Sequence, residues 1–123
     1  MSTGDGSDTA FEIDICEGHY PNIANVSLHS AKNDQGVKDD NSKRHIADED
    51  LSLDFHTYAI DWNEDEIVYY MDGVEIDRKK SYTAQRPVFP KLSTAVMTWA
   101  GPVTDNLDGK SMDVDYVRVY KKK

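Results

Sequence analysis

Asp72-Gly73 stands between two short runs of β pattern, residues 67–71 and 74–76, and it constrains the chain more than any other dipeptide. Both residues tolerate positive φ, as the central pair of a two-residue hairpin turn requires, so the flanking runs must fold back on each other as antiparallel strands. The same alternation of strand and turn runs through the rest of the sequence. Residues 11–17 and 22–30 read as strands joined through Gly18-His19-Tyr20-Pro21, and residues 51–62 return to β pattern. Residues 92–100 and 112–120 supply two more strands after Pro87 and Pro90 break the pattern. Residues 31–50 are almost wholly polar and predict a long excursion without a core of its own. No stretch sustains a helical period, and there is no internal repeat. About seven strands with no helices to cover a parallel sheet predict an all-β fold, an antiparallel β-sandwich.

A chain of 123 residues is one domain, read here as residues 11–123 behind a polar, glycine-bearing segment over residues 1–10 that predicts a flexible terminus. The formal charge of -9 argues against nucleic acid as a partner, because phosphate binding needs a basic surface, and the Lys121-Lys122-Lys123 tail is too short to reverse it. No apolar run is long enough to span a membrane. The lone cysteine, Cys16, allows no internal disulfide and reads as buried and inert. No charged-then-apolar leader opens the sequence, so the residues themselves do not report a compartment.

Chemistry concentrates in Glu12-Ile13-Asp14-Ile15-Cys16-Glu17, three carboxylates in six residues. On a strand, Phe11, Ile13 and Ile15 enter a core while Glu12 and Asp14 project from the opposite face. Glu17 falls out of that rhythm. One extra residue near Ile15-Cys16, a β-bulge, would return Glu17 to the face of Glu12 and Asp14. Acids at that spacing repel, which raises at least one pKa and lets one carboxyl stay protonated beside an ionised neighbour. A solvated acidic face is the other reading of the same pattern.

The stretch resembles the active-site signature of the family 16 glycoside hydrolases, E-x-D-x-x-E in its bulged, laminarinase-like form. Two further segments match in order: Phe55-His56-Thr57-Tyr58-Ala59-Ile60-Asp61-Trp62 running into Tyr70-Met71-Asp72-Gly73, and the closing Val114-Asp115-Tyr116-Val117-Arg118-Val119-Tyr120. The resemblance implies a concanavalin-like jelly roll, of which the chain carries only the C-terminal part, so it looks truncated at the N-terminus. It implies a retaining endo-β-glycan hydrolase acting on β-1,3-glucan, with Glu12 as nucleophile, Glu17 as general acid/base and Asp14 between them. A secreted or periplasmic setting follows from the same likeness. The missing strands leave sheet edges that could pair two copies as a homodimer, and they keep open a second reading, a non-catalytic glycan-binding or remnant domain.

Family members place a histidine near the acid/base, which makes His29 a candidate contact for Glu17 or a sugar hydroxyl; a histidine at a polar strand end is the alternative. Trp99 resembles a cleft-lining residue whose ring would face a pyranose, with core packing as its other role, and Tyr20 is a further candidate for sugar stacking. Trp62 reads as a packing residue. No cofactor is required. Asp115 matches one ligand of a structural calcium in the family, although the other ligands belong to the region the chain lacks.

Overall fold

The alternation expected over β1 (Phe11–His19) holds at its start, where Phe11 and Ile13 are buried while Glu12 between them is exposed; Ile15, expected in the core, is only half-buried. The computed structural model describes Met1 and residues 11–30, 39–81 and 87–121. The glycine-bearing segment over residues 2–10 and the first part of the polar excursion, 31–38, lie outside the described residues. Met1 itself sits on β1, where its backbone exchanges hydrogen bonds with Ile13.

β1 pairs antiparallel with β2 (Ile23–Ser30), and β2 with β3 (Asp39–Ile46), giving one three-stranded sheet. β4 (Tyr58–Trp62), β5 (Glu66–Met71) and β6 (Val74–Lys80) form a second antiparallel sheet in that order. The sheets face each other as a sandwich. Phe11, Ile13, Val26 and Leu28 from the first pack with Ile67 and Tyr69 from the second, and Met1, Ile60, Trp62, Ile76 and Val88 close over that cluster. Trp62 packs as expected, its ring meeting the Phe11 ring edge-on at 5.6 Å between centroids. The Tyr69 hydroxyl, buried in the core, donates to the Ser27 carbonyl at 2.9 Å, so the largest buried side chain carries its polar atom satisfied across the two sheets.

The Asp72-Gly73 hairpin forms as the sequence predicts. Met71 pairs with Val74 across it, and φ is 50° at Asp72 and 78° at Gly73, positive at both central positions as a type I′ turn demands. Asp72 also ties the turn to the start of β4: its carboxylate accepts from the Thr57 amide at 2.8 Å and meets His56 Nδ1 at 2.7 Å. These contacts, the His56 hydrogen bond foremost, hold the Asp72 carboxyl below the usual carboxylate range.

Three expectations need correction. The polar excursion contains a strand, β3, because its backbone pairs with β2 over eight register partners even though it offers no apolar face. Its alternate residues point inward at charge rather than at carbon. Lys43 donates to the Ile76 carbonyl at 2.9 Å and lies 3.3 Å from Asp77, and Asn41 accepts from Lys79 at 3.4 Å. The Ile76 carbonyl lies where β6 bulges against β5, between the partners of Tyr69 and Tyr70. An edge strand whose inward residues are charged is protected against pairing with a further strand.

Residues 51–57, expected to open a strand, are turns and irregular chain, and the strand begins only at Tyr58. Last, the expected strands over 92–100 and 112–120 are absent among the described residues. The chain divides into two compact units, Met1–Lys91 and Leu92–Lys123. Within the second, the described residues form 3₁₀ turns at Thr98–Ala100 and Asp105–Leu107 and are all exposed. Alternating side chains make a strand only where a neighbour completes the backbone ladder, and no ladder forms among the described residues of that unit.

Candidate active site on the bulged strand

β2 alternates without interruption, so its residues 25, 27 and 29 share one face of the sheet. Their partners on β1 are Glu17, Asp14 and Glu12, because the register slips by one residue between Asp14 and Glu17. Two residues, Ile15 and Cys16, occupy the space that Val26 alone spans on β2, which is the bulge the sequence predicts. It brings all three carboxylates onto one face.

Asp14 lies in the middle of this row with its side chain 19% exposed, and its Oδ2 is 3.3 Å from His29 Nε2. Its pKa is pushed up to about 6, first by burial, then by the charges of Glu12 and Glu17, while His29 and the N-terminal ammonium pull the other way. Those mutual effects are the electrostatic signature of three acids sharing one site. Glu17 is held from below. Its Oε2 accepts from Asn25 Nδ2 at 3.2 Å and from Ser27 Oγ at 3.3 Å, and Ser42 Oγ on β3 donates to Ser27 Oγ at 3.0 Å. Asn25, Ser27 and Ser42 are functional candidates that inspection of the sequence did not single out.

Cys16, inside the bulge, is half-buried, and burial pushes its thiol up to about 12, in keeping with an inert side chain. Its neighbour Tyr58 on β4 is likewise raised to about 12, chiefly by burial. Tyr20 follows β1 in the turn, 80% exposed, with its hydroxyl bonded to Asp50. The structure thus gathers Glu12, Asp14, Glu17 and His29, with Tyr20 three residues beyond Glu17. Trp99 and Asp115 belong to the unit Leu92–Lys123, where both are exposed. The described residues contain no group of three or more His, Cys, Asp or Glu side chains that could hold a metal ion.

The sequence model of the glycosyl hydrolases of family 16 matches residues 1–118. The chain belongs to that family. Among curated relatives, two endo-1,3-1,4-beta-glycanases of Rhizobium meliloti, EglC and ExsH, are 36% and 33% identical to this family 16 chain over 116 and 113 residues, each match covering 89% of the chain and 23% of the relative. Glucan endo-1,3-beta-glucosidase A1 of Niallia circulans is 28% identical over 131 residues, 89% of the chain and 19% of the relative. The family 16 chain therefore spans less than a quarter of the length of the curated relatives it matches.

The raised pKa of Asp14 makes a stability prediction. Between the ordinary carboxylate value of 3.8 and about 6, the folded state binds more protons than the unfolded one, so stability falls as pH rises through that window. Above it the penalty is complete, about 3 kcal/mol for a shift of this size. Asp14→Asn removes the titration. The variant is expected to be more stable than wild type by about 2–3 kcal/mol at pH 8, with the gain fading below pH 4. Urea unfolding across that range measures it, and a gain independent of pH would contradict the assignment.

Proposed function

We propose that the chain carries the catalytic carboxylates of a retaining, endo-acting β-glycan hydrolase whose substrate is a β-glucan containing 1,3 linkages. The observation that supports this most directly is the one-residue register slip on β1, which turns an acidic strand into a row of three mutually coupled carboxyls. In this mechanism Glu12 attacks the anomeric carbon while Glu17 gives its proton to the departing glycosidic oxygen, leaving a glycosyl–Glu12 ester. Glu17, now ionised, takes a proton from water, which attacks the same carbon and releases Glu12 with the original stereochemistry. Retention of this kind needs the two carboxyls roughly 5–5.5 Å apart across the bond.

Asp14, between them, accommodates a proton near neutrality because its own ionised form is disfavoured. A proton there relieves the repulsion among three adjacent acids, and the 3.3 Å contact with His29 fixes the carboxyl in place. Tyr20 and Trp99, both exposed aromatics, are proposed as surfaces for pyranose rings, whose C–H faces suit an aromatic plane. A polymeric substrate of this class lies outside the cell, which places the protein in a secreted or periplasmic setting in this proposal.

The 1,3 linkage is supported by the activities for which the relatives are named and by the bulged form of the motif. Turnover of laminarin and of mixed-linkage β-glucan, read as reducing ends and compared with Glu12→Gln, tests the proposal. Release of reducing ends by wild type alone supports it. Equal rates in wild type and variant would sink it.

A further inference from the structure

Proton delivery by Glu17 depends on how its carboxyl is aimed, and two side chains converge on that group with a third behind them. Asn25 Nδ2 and Ser27 Oγ both donate to the same oxygen, Oε2, from 3.2 and 3.3 Å. Ser27 is fully buried, and Ser42, its register partner on β3, donates to it at 3.0 Å. A serine hydroxyl has one proton. By accepting from Ser42, Ser27 directs its own proton toward Glu17, so the chain runs in one sense from β3 through β2 to β1.

The geometry points to Ser27, with Ser42 behind it and Asn25 beside it, as positioning residues that anchor Oε2 of Glu17 and leave Oε1 as the oxygen that delivers the proton to the leaving group. This rests on Glu17 being the acid/base of the proposed hydrolysis. The surrounding charged and titratable groups do not supply that anchoring. Along β1, Glu12 and Asp14 are carboxyls that repel Glu17, and Cys16 beside it is bonded to Tyr58 from β4. On β2, His29 is engaged with Asp14, and on β3, Arg44 is the register partner of Asn25 with an exposed side chain. The fixed, neutral donors remain, and a rotamer locked by buried hydrogen bonds is what a proton donor needs for efficient transfer.

The test separates aiming from mere structure by the leaving group. Laminarin needs a proton on the departing oxygen, whereas an activated aryl β-glycoside with a stable phenolate does not. Ser27→Ala is expected to lower kcat on laminarin about ten-fold with KM little changed, while single-turnover release from the aryl glycoside stays within about two-fold of wild type. Ser42→Ala, on the exposed edge strand, gives a smaller loss of the same pattern, and Ser42→Thr, which keeps the hydroxyl, restores the laminarin rate. Equal losses on both substrates, or full laminarin activity in folded Ser27→Ala and Ser42→Ala, overturn the positioning role. Glu17→Gln is measured alongside. If that variant keeps wild-type laminarin turnover, the acid/base assignment fails and the positioning role with it; if Glu17→Gln is impaired and the serine variants are not, only the positioning role fails.

Discussion

Glu12→Gln is expected to lower laminarin turnover on the order of 10⁴-fold or more, because an amide cannot form the ester that splits the displacement into two steps. Glu17→Gln is expected to cost about 10²–10⁴-fold on the same polymer, the range for loss of a general acid. The two variants differ in what rescues them. A leaving group that departs without a proton should recover most of the glycosylation rate of Glu17→Gln and none of that of Glu12→Gln, and the Glu17 variant should then accumulate the glycosyl-enzyme, visible by intact mass. An exchange of these two patterns would reverse the roles while leaving the pair intact. Equal, small losses in both variants would instead place the carboxylates on a solvated face, and the second reading, a glycan-binding domain, would follow. The geometry supports large effects because burial and mutual charge already shape the row, as the shift of Asp14 to about 6 records.

That row was largely legible in the sequence, and the reason is local. Alternation places Phe11 and Ile13 inside, and the misplaced Glu17 can rejoin Glu12 and Asp14 only through one extra residue, so the bulge follows from pattern alone. Asn25 and Ser27 were within reach too. Once the turn after β1 and the bulge are granted, counting back along β2 brings Asn25 opposite Glu17 and Ser27 opposite Asp14. Ser42 was not reachable, because β3 has no hydrophobic alternation to reveal it; a strand whose side chains are polar and largely exposed looks like a loop. The strands read over 92–100 and 112–120 mark the opposite failure. Side-chain alternation there is real, but a ladder depends on a neighbouring strand, which a window of local sequence does not encode.

The inward charge of β3 leads to the second large effect, Asp77→Ala. The Lys79 side chain is only 2% exposed; its ammonium is bonded to the Asp77 carboxylate, donates to Asn41 Oδ1 at 3.4 Å and lies 5.3 Å from the centroid of the Tyr69 ring. Asp77 also reaches Lys43 at 3.3 Å, so one carboxylate serves two cations, one of them from the facing sheet. Burial raises the Asp77 pKa, but the Lys79 hydrogen bond and charge, with the other donors, outweigh it and hold the carboxyl below the usual range. Removing the carboxylate leaves a buried ammonium with only an amide oxygen and a ring face, a situation that costs about 3–5 kcal/mol. Against a total stability of roughly 5–15 kcal/mol for a domain, that is a large fraction. Because the folded pKa of Asp77 is depressed, its contribution is complete above the ordinary carboxylate value of 3.8 and is lost as the pH falls through the lower folded value. The gap between wild type and Asp77→Ala in urea unfolding should therefore be widest near neutrality and narrow in acid. Asp77→Leu combined with Lys79→Met removes both charges and should recover most of the loss, since a buried ion pair is often worth no more than the apolar groups that could replace it. A loss under about 1 kcal/mol in Asp77→Ala would mean that Lys79 reaches water in solution, and that the polar strand β3 is held by its ladder with β2 alone.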